Sequence, residues 1–212
     1  MSKPNQTKKN TLRGVFERAL RQGLDEAAKT ILKTSKQCAK EMKGSGVEKL
    51  ANNVLNTLEI FVTEKKDASF VRYQTIAEPL IVRLVEERSK TLSLVDSAPK
   101  ITKQGRAFGF MSGMSSLTSV IKIFTTQAAS KLSENQEMTE DNKRVCLSFI
   151  NDVFGVILMS LSTTLDNEHI ITKRDRAFFA DILSSNEWNQ DLHMTDGPTS
   201  AKQPNQEASA ES

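Results

Sequence analysis

The sequence predicts an all-α protein, a single-domain bundle of six or seven helices with disordered N- and C-terminal tails. Apolar residues recur every three or four positions over most of the chain, which is the period of an amphipathic helix. No stretch alternates apolar and polar residues as a half-buried strand does. The 212 residues are 38% hydrophobic and 26% charged, which is ordinary for a protein with a buried core and excludes collagen-like, disulfide-stapled and wholly disordered classes.

The first predicted helix begins at Leu12 and ends at the glycine-rich stretch 44–46. The second extends from Val47 to about Lys66, where charged residues end the apolar pattern. The apolar positions of the first helix are Leu12, Phe16, Leu20, Leu24, Ala28, Ile31, Cys38 and Met42.

Two prolines divide the middle of the chain. Inside a helix, Pro79 removes a hydrogen bond and clashes with the preceding turn. We therefore expect a short helix over 69–77 and a new one that begins near Pro79, because proline suits a first helical turn. The stretch 94–104, which contains Pro99, is predicted to be a linker.

Three further helices complete the prediction. An apolar helix rich in small residues covers about 105–132. The next covers about 139–165, where Thr139 offers an N-cap and the acids after it suit the positive end of the helix dipole. The last begins at Thr172, which forms a capping box with Asp175.

The folded domain is predicted to span 11–188, between a disordered leader, 1–10, and a disordered acidic tail, 189–212. The leader is polar and basic without an apolar run behind it, so we expect no signal peptide and no N-terminal anchor. Cys38 and Cys146 occupy apolar helical positions and are expected to be reduced core thiols. The expected location is cytoplasmic.

Three glycines, Gly105, Gly109 and Gly113, fall on one face of the predicted apolar helix, which we call the glycine face. Glycines at this spacing allow a second helix to approach closely. Because each glycine inside a helix costs up to about 1 kcal/mol, it needs a packing reason, and packing within the bundle is the favoured one. The expected mate is the next apolar helix, which carries Gly155. A homodimer or a groove for a partner is the alternative.

Five lysines of the first helix form a second pattern, the lysine ridge. At about 100° per residue they share an arc of about 80°, away from the apolar positions. A merely solvated face is the plainest interpretation. The functional ones, in order of preference, are a protein or membrane partner and a nucleic acid. The ridge consists of Lys29, Lys33, Lys36, Lys40 and Lys43.

Charge is unevenly distributed along the chain, so acids near its C-terminal end are candidates to neutralise the lysine ridge. Residues 1–50 carry twelve Lys and Arg against five Asp and Glu, whereas residues 151–212 carry four against ten. Folding could bring the basic and acidic ends together, and the ridge would then need no external ligand.

The two apolar helices also raise the question of a membrane. The thirteen residues of 153–165 carry no charge, but as a helix they span only about 20 Å of a hydrocarbon core about 30 Å thick. The partner segment carries Arg106 and Lys122. A soluble central helix pair is therefore preferred to membrane insertion of a hairpin over about 105–165.

Side chains for chemistry are few. The only histidines are His169 and His193, and neither belongs to a recognisable triad or metal-ligand spacing. We therefore expect no catalytic residue, cofactor or metal.

The function expected by exclusion is a non-enzymatic helical protein–protein interaction module, an adaptor, assembly component or regulator in the cytosol. Its partner is expected to be a protein, with an acidic partner or a second copy of the chain as options. A membrane-active protein that inserts the 105–165 hairpin is the first alternative. A nucleic-acid-binding protein that uses the lysine ridge is the second.

Overall fold

A computed structural model describes residues 11–46, 48–89, 97–168 and 171–184. Within those residues the chain forms helices and no strands, so the all-α prediction is confirmed. The predicted leader 1–10, the tail 189–212 and residues 185–188 lie outside the described residues. The five helices described are α1 (Leu12–Glu41), α2 (Glu48–Ser89), α3 (Ser97–Glu134), α4 (Glu140–Asn167) and α5 (Lys173–Ser184).

Helix α1 begins and ends where the sequence indicated. The hydroxyl of Thr11 accepts a hydrogen bond from the Gly14 amide at 3.1 Å and caps the N-terminus. After Met42, the chain turns at Gly44, whose φ of +79° is a conformation that favours glycine. The Gly44 amide donates to Glu48 Oε2 at 2.7 Å, so the first acid of α2 fixes the turn.

Helix α2 continues through Lys66 and Pro79, so the predicted end at Lys66 is wrong, and the helix predicted over 47–66 and the two predicted around the proline are one helix. Proline deprives the carbonyl of Thr75 of its helical partner. Both residues are exposed, so that carbonyl can bind water without a burial cost. Arg13 of α1 also braces this turn, donating to Glu78 Oε2 at 3.1 Å and to the carbonyl of Gln74 at 3.4 Å.

Helix α3 begins earlier than predicted, because residues 97–104 of the expected linker are helical. Pro99 lies in the first turn, where amide groups have no partner within the helix, so its missing N–H is not a loss. This change and the continuous α2 leave five helices in the described part of the chain, and the predicted six or seven are not confirmed.

Helices α1 and α3 lie side by side and parallel at the centre of the bundle. Gly105 lies against Leu12, and further along both helices Gly113 lies against Leu20. Helix α2 is antiparallel to α3, since the hydroxyl of Ser116 donates to that of Ser69 at 2.9 Å while Phe124 packs on Phe61, with ring centroids 5.3 Å apart. Helices α1 and α3 pack on each other more extensively than any other described pair, and each also packs on α2 and on α4, so they form the central pair.

Helix α4 covers the remaining side of α1 and runs antiparallel to α3. The hydroxyls of Thr30 and Thr164 are 3.2 Å apart, which places the C-terminal end of α4 beside the middle of α1. Phe154 on the inner side of α4 packs against Phe124 of α3, with ring centroids 5.6 Å apart. The inner side of α4 is therefore part of the core.

Helix α5 is short and is held by specific polar contacts. The hydroxyl of Thr172 accepts from the Asp175 amide at 3.1 Å, and the Thr172 amide donates to the Asp175 carboxylate at 3.2 Å. This arrangement confirms the capping box. Arg88 of α2 donates to Asp175 at 3.0 Å and stacks over the Phe178 ring at 3.9 Å. These contacts tie α5 to the C-terminal end of α2.

Tyr73 gives the fold a pH dependence that can be measured. Burial raises the pKa of Tyr73 to about 12, although the Arg72 charge acts in the opposite direction. The folded state then holds a phenolic proton that the unfolded state releases near pH 10, so stability is lost as pH rises from about 10 to about 12. We expect a loss of about 3 kcal/mol over that range. Urea unfolding at several pH values measures it, and Tyr73→Phe should remove this component of the pH dependence. An equally steep loss in Tyr73→Phe would contradict the assignment.

Candidate functional site

The glycine face of α3 lies against α1 inside the bundle. A Cβ at Gly109 would meet the carbonyl oxygen of Phe16, and one at Gly113 would lie 2.5 Å from that of Leu20. The approach is equally close at Gly23 of α1, since a Cβ there would meet the carbonyl oxygen of Phe110 in α3. The two backbones therefore touch, and the face offers nothing to an outside partner.

The prediction that the helix carrying Gly155 packs on the glycine face is wrong. None of the described residues comes within 4 Å of a Cβ built at Gly155, so within this part of the chain the glycine of α4 is exposed instead of packing on α3. Helix α4 does contact α3, but through larger side chains such as Phe154. Four-residue spacing indicates a close crossing without identifying the second helix, and α1 supplies it because Gly23 also lacks a side chain.

All five lysines of the ridge are exposed on the outer side of α1. Lys29 pairs with Glu26 of the same helix at 3.3 Å, and Lys36 lies 4.0 Å from Glu59 of α2. Exposed pairs such as these contribute little and exchange readily with water. Among the described residues, no ion pair is formed by Lys33, Lys40 or Lys43. The ridge is thus a solvent-facing row of positive charge.

The described acids of the C-terminal third do not neutralise the ridge. Asp166 forms an ion pair with Arg176, and Asp175 forms one with Arg88. Asp152, Glu168 and Asp181 form no ion pair with a ridge lysine among the described residues, and the remaining five acids of 151–212 lie in 185–212, outside them. The idea that the tail complements the ridge in cis stays a prediction.

A cleft of about 350 Å³ opens where α2 begins, α3 ends and α4 begins. Its floor is apolar and its rim carries amides, a hydroxyl and an ammonium group, the composition typical of a binding pocket. The floor is formed by Leu50, Val54, Phe124, Ala128, Leu132, Met138 and Ile150. The rim is formed by Asn53, Thr57, Gln127, Lys131 and Asn135.

The cleft and the lysine ridge lie at the same end of the bundle. The turn 42–46 joins the end of the ridge to the α2 segment that lines the cleft. The approach of Lys36 to Glu59 places the ridge next to α2, on the side opposite the residues that line the cleft, because Glu59 is about half a turn around the helix from them. The glycine face, in contrast, contacts α1 between Leu12 and Leu24, before the ridge begins. The ridge and the cleft therefore lie toward the same end of the bundle but on opposite sides of α2, and no ridge lysine lines the cleft.

Helix α4 presents a second open surface, which we call the α4 outer face. Met159 is 72% exposed and Val156 is 48% exposed, beside the open Gly155. Exposed large apolar side chains are normally scattered singly over a protein surface, whereas Val156 and Met159 are neighbours on one helix. The α4 outer face consists of Arg144, Ser148, Asn151, Gly155, Met159, Ser162 and Asp166, with Val156 at its edge.

Side chains suited to chemistry do not converge in the described part of the chain. No three His, Cys, Asp or Glu side chains there are placed to hold a metal ion. His169 and His193 lie outside the described residues. Cys38 and Cys146 are free and buried, and burial raises the pKa of both thiols, which keeps them protonated.

Sequence reasoning found the lysine ridge but missed the cleft. The ridge lies on a single helix, so its spacing alone defines it. The cleft combines side chains of three helices whose packing the spacing does not reveal. A partial signal existed in the loop between α3 and α4, where Met138 is an apolar residue within a polar stretch.

Comparison with known proteins does not assign a function to these surfaces. No protein-family model, no curated protein and no solved structure matches the chain.

Proposed function

We propose that this chain is a non-enzymatic helical interaction module, an adaptor, assembly component or regulator that binds an acidic helical segment of a partner protein in the cytosol. The observation that carries the proposal is the apolar cleft at the end of the bundle where the lysine ridge also lies. A partner helix would place apolar side chains in the cleft, and acids of the same partner that extend around the start of α2 would face the ridge.

The cleft suits the buried part of such a contact. Its floor is wide enough for one or two large side chains, and an amphipathic helix supplies these at three- and four-residue spacing. The rim groups Asn53, Gln127 and Asn135 can donate and accept hydrogen bonds, which fix the orientation of a bound segment. This division into an apolar centre and a polar rim is typical of protein interfaces.

The ridge suits the long-range part of the contact. Its charges act on an approaching acidic partner before contact and raise the association rate, an effect that salt reduces. Lys131 extends positive charge to the rim of the cleft itself. Affinity would then come from the cleft, and orientation from the ridge.

Charge reversal and cleft filling test the proposal separately. We expect Lys33→Glu, Lys36→Glu and Lys40→Glu together to reduce recovery of the partner about tenfold, through a slower association. Ala128→Trp, which fills the cleft, should reduce it by at least as much. The measurement is affinity purification from the native host with quantitative mass spectrometry, and circular dichroism checks folding.

Matched controls are available for both variants. Glutamate at Lys103, Lys122 and Lys173 changes the net charge equally at exposed sites away from the ridge, and Ala129→Trp adds the same side chain one residue beyond the cleft. Both controls should retain the partner. If no recovered protein depends on the ridge or the cleft, the proposal is wrong. A shift of generic DNA or RNA that disappears with the ridge variant would favour the nucleic-acid alternative.

Membrane association is the second candidate function, and the surface of α4 favours it. Residues 100–134 of α3 and helix α4 are long and apolar enough to cross a membrane. The apolar window of α3 is 67% buried within the bundle, as expected of a core helix, whereas that of α4 is only 39% buried. Flotation with anionic and with neutral liposomes separates the two functions. Salt-resistant association would favour the membrane, and recovery in the soluble fraction would favour the protein partner.

A further inference from the structure

We propose that the α4 outer face binds the same face of a second copy of this chain, with the two α4 helices antiparallel and crossing at Gly155. This surface is separate from the cleft and the lysine ridge, so the inference stands independently of the proposed function. The space at the crossing point is open, and the order of the side chains on either side of it is complementary to itself.

Gly155 allows a second helix to approach closely. No atom of the described part of the chain lies within 4 Å of a Cβ built there, in contrast to Gly109, where α1 occupies that space. Glycine in the exposed interior of a helix is unfavourable and needs a reason. The adjacent Val156 and Met159 are exposed apolar side chains that such an approach would bury.

The outer face is complementary to itself in the antiparallel orientation. When two α4 helices cross at Gly155, each residue meets the one equally far on the other side of Gly155. Ser148 then meets Ser162 of the second copy, so small side chains lie opposite each other. Asn151 meets Met159, so the large side chain of one helix lies beside the shorter one of the other. The same glycine lies opposite itself at the centre.

The charges at the two ends of the face are also complementary. Arg144 and Asp166 are equally distant from Gly155, so each arginine meets the aspartate of the second copy, twice in one dimer. The side chain of Arg144 is 83% exposed, and among the described residues its ion-pair partner is Asp141 at 4.0 Å. Asp166 pairs with Arg176, yet its side chain is 56% exposed and a carboxylate accepts more than one donor. A parallel pair would place like charges together instead.

The size of the face sets the strength of the expected dimer. From Arg144 to Asp166 the helix extends about 33 Å at about 1.5 Å per residue. Stable interfaces bury roughly 1,200–2,000 Å², whereas here one helix face with several small side chains supplies the whole contact. The dimer is therefore expected to be weak and to depend on protein concentration.

Cysteine cross-linking tests the register directly. Gly155→Cys should form an intermolecular disulfide on mild oxidation, because the two residues lie opposite each other. Ser148→Cys alone should not, whereas a mixture of Ser148→Cys and Ser162→Cys chains should. Val82→Cys, at an exposed apolar position on α2, is the control for random collision. Cross-linking of Ser148→Cys with itself, or equal yields at Val82, would overturn the proposal.

Sedimentation velocity over a wide concentration series tests the contact without cross-links. Arg144→Glu places like charges at both ends and is expected to raise the dimer Kd about tenfold. Gly155→Leu blocks the close approach and should raise it at least as much, while the monomer stays folded because the site is open. Arg18→Glu, an exposed arginine of α1, should change nothing. A wild-type chain that stays monomeric throughout, whether or not α4 then binds liposomes, would overturn the proposal.

Discussion

Replacement of Gly109 by leucine is expected to unfold the chain. A Cβ at this position would lie against the Phe16 carbonyl oxygen and 3.1 Å from the Leu20 amide nitrogen, both backbone atoms of α1. Backbone atoms of a packed helix cannot rotate away as a side chain end does, so the central helix pair must separate. Even Gly109→Ala should lose about 2–3 kcal/mol, after the gain of about 1 kcal/mol in helix propensity. Urea unfolding followed by circular dichroism measures both.

Gly155→Ala is the matched control for this effect. It makes the same change inside an apolar helix, but nothing lies within 4 Å of the new methyl group. We expect it to stabilise the monomer by up to about 1 kcal/mol through helix propensity alone. If Gly109→Leu stays fully stable and loses an oligomer or a partner instead, the glycine face is an interface and its placement against α1 is wrong.

Truncation of Phe108 is expected to have the second largest effect on stability. This fully buried side chain of α3 packs on Phe16 of α1 and on Phe179 of α5, with ring centroids 5.7 Å and 5.0 Å apart. Phe108→Ala leaves a cavity where three helices meet and removes both aromatic contacts. We expect a loss of about 3–5 kcal/mol in the free energy of unfolding. Thermal and urea unfolding measure it.

Amide hydrogen exchange should show which helix loses most protection in Phe108→Ala. Because α5 is short and packs on α3 through Phe179, its amides should lose protection most in Phe108→Ala. Phe70→Ala is the control, since Phe70 is half-buried beneath Arg21 of α1 and should cost only about 1–2 kcal/mol. Equal losses in the two variants would contradict the placement of Phe108 at the centre of the core.

The sequence predicted the helical class, the ends of α1 and α4 and the start of α5, because those depend on local signals. The N-caps Thr11 and Thr139 and the capping box at Thr172 act within four residues and can be recognised without tertiary structure. Pro79 was misjudged because its effect depends on exposure, which a tertiary fold determines. Where the lost carbonyl partner faces water, the helix continues.

Surfaces were predictable only where they lie on one helix. The spacing of Lys33, Lys36 and Lys40 defines the lysine ridge by itself, whereas the cleft needs the packing of α2, α3 and α4. The glycine face shows an intermediate case. Its spacing predicted a close crossing, but the choice between Gly23 and Gly155 as the opposing glycine required the arrangement of all the helices.

Residue-resolved photo-cross-linking in the native host tests the central claim, that a partner protein binds the end of the bundle where the cleft and the lysine ridge lie. A photo-reactive amino acid replaces Gln127 on the cleft rim, or Gln37 between the lysines of the ridge. Thr75, exposed toward the other end of α2, is the control position. We expect one and the same protein to cross-link from Gln127 and from Gln37 and not from Thr75. A partner that cross-links from Thr75 alone, or cross-links to nothing but lipid, would contradict it.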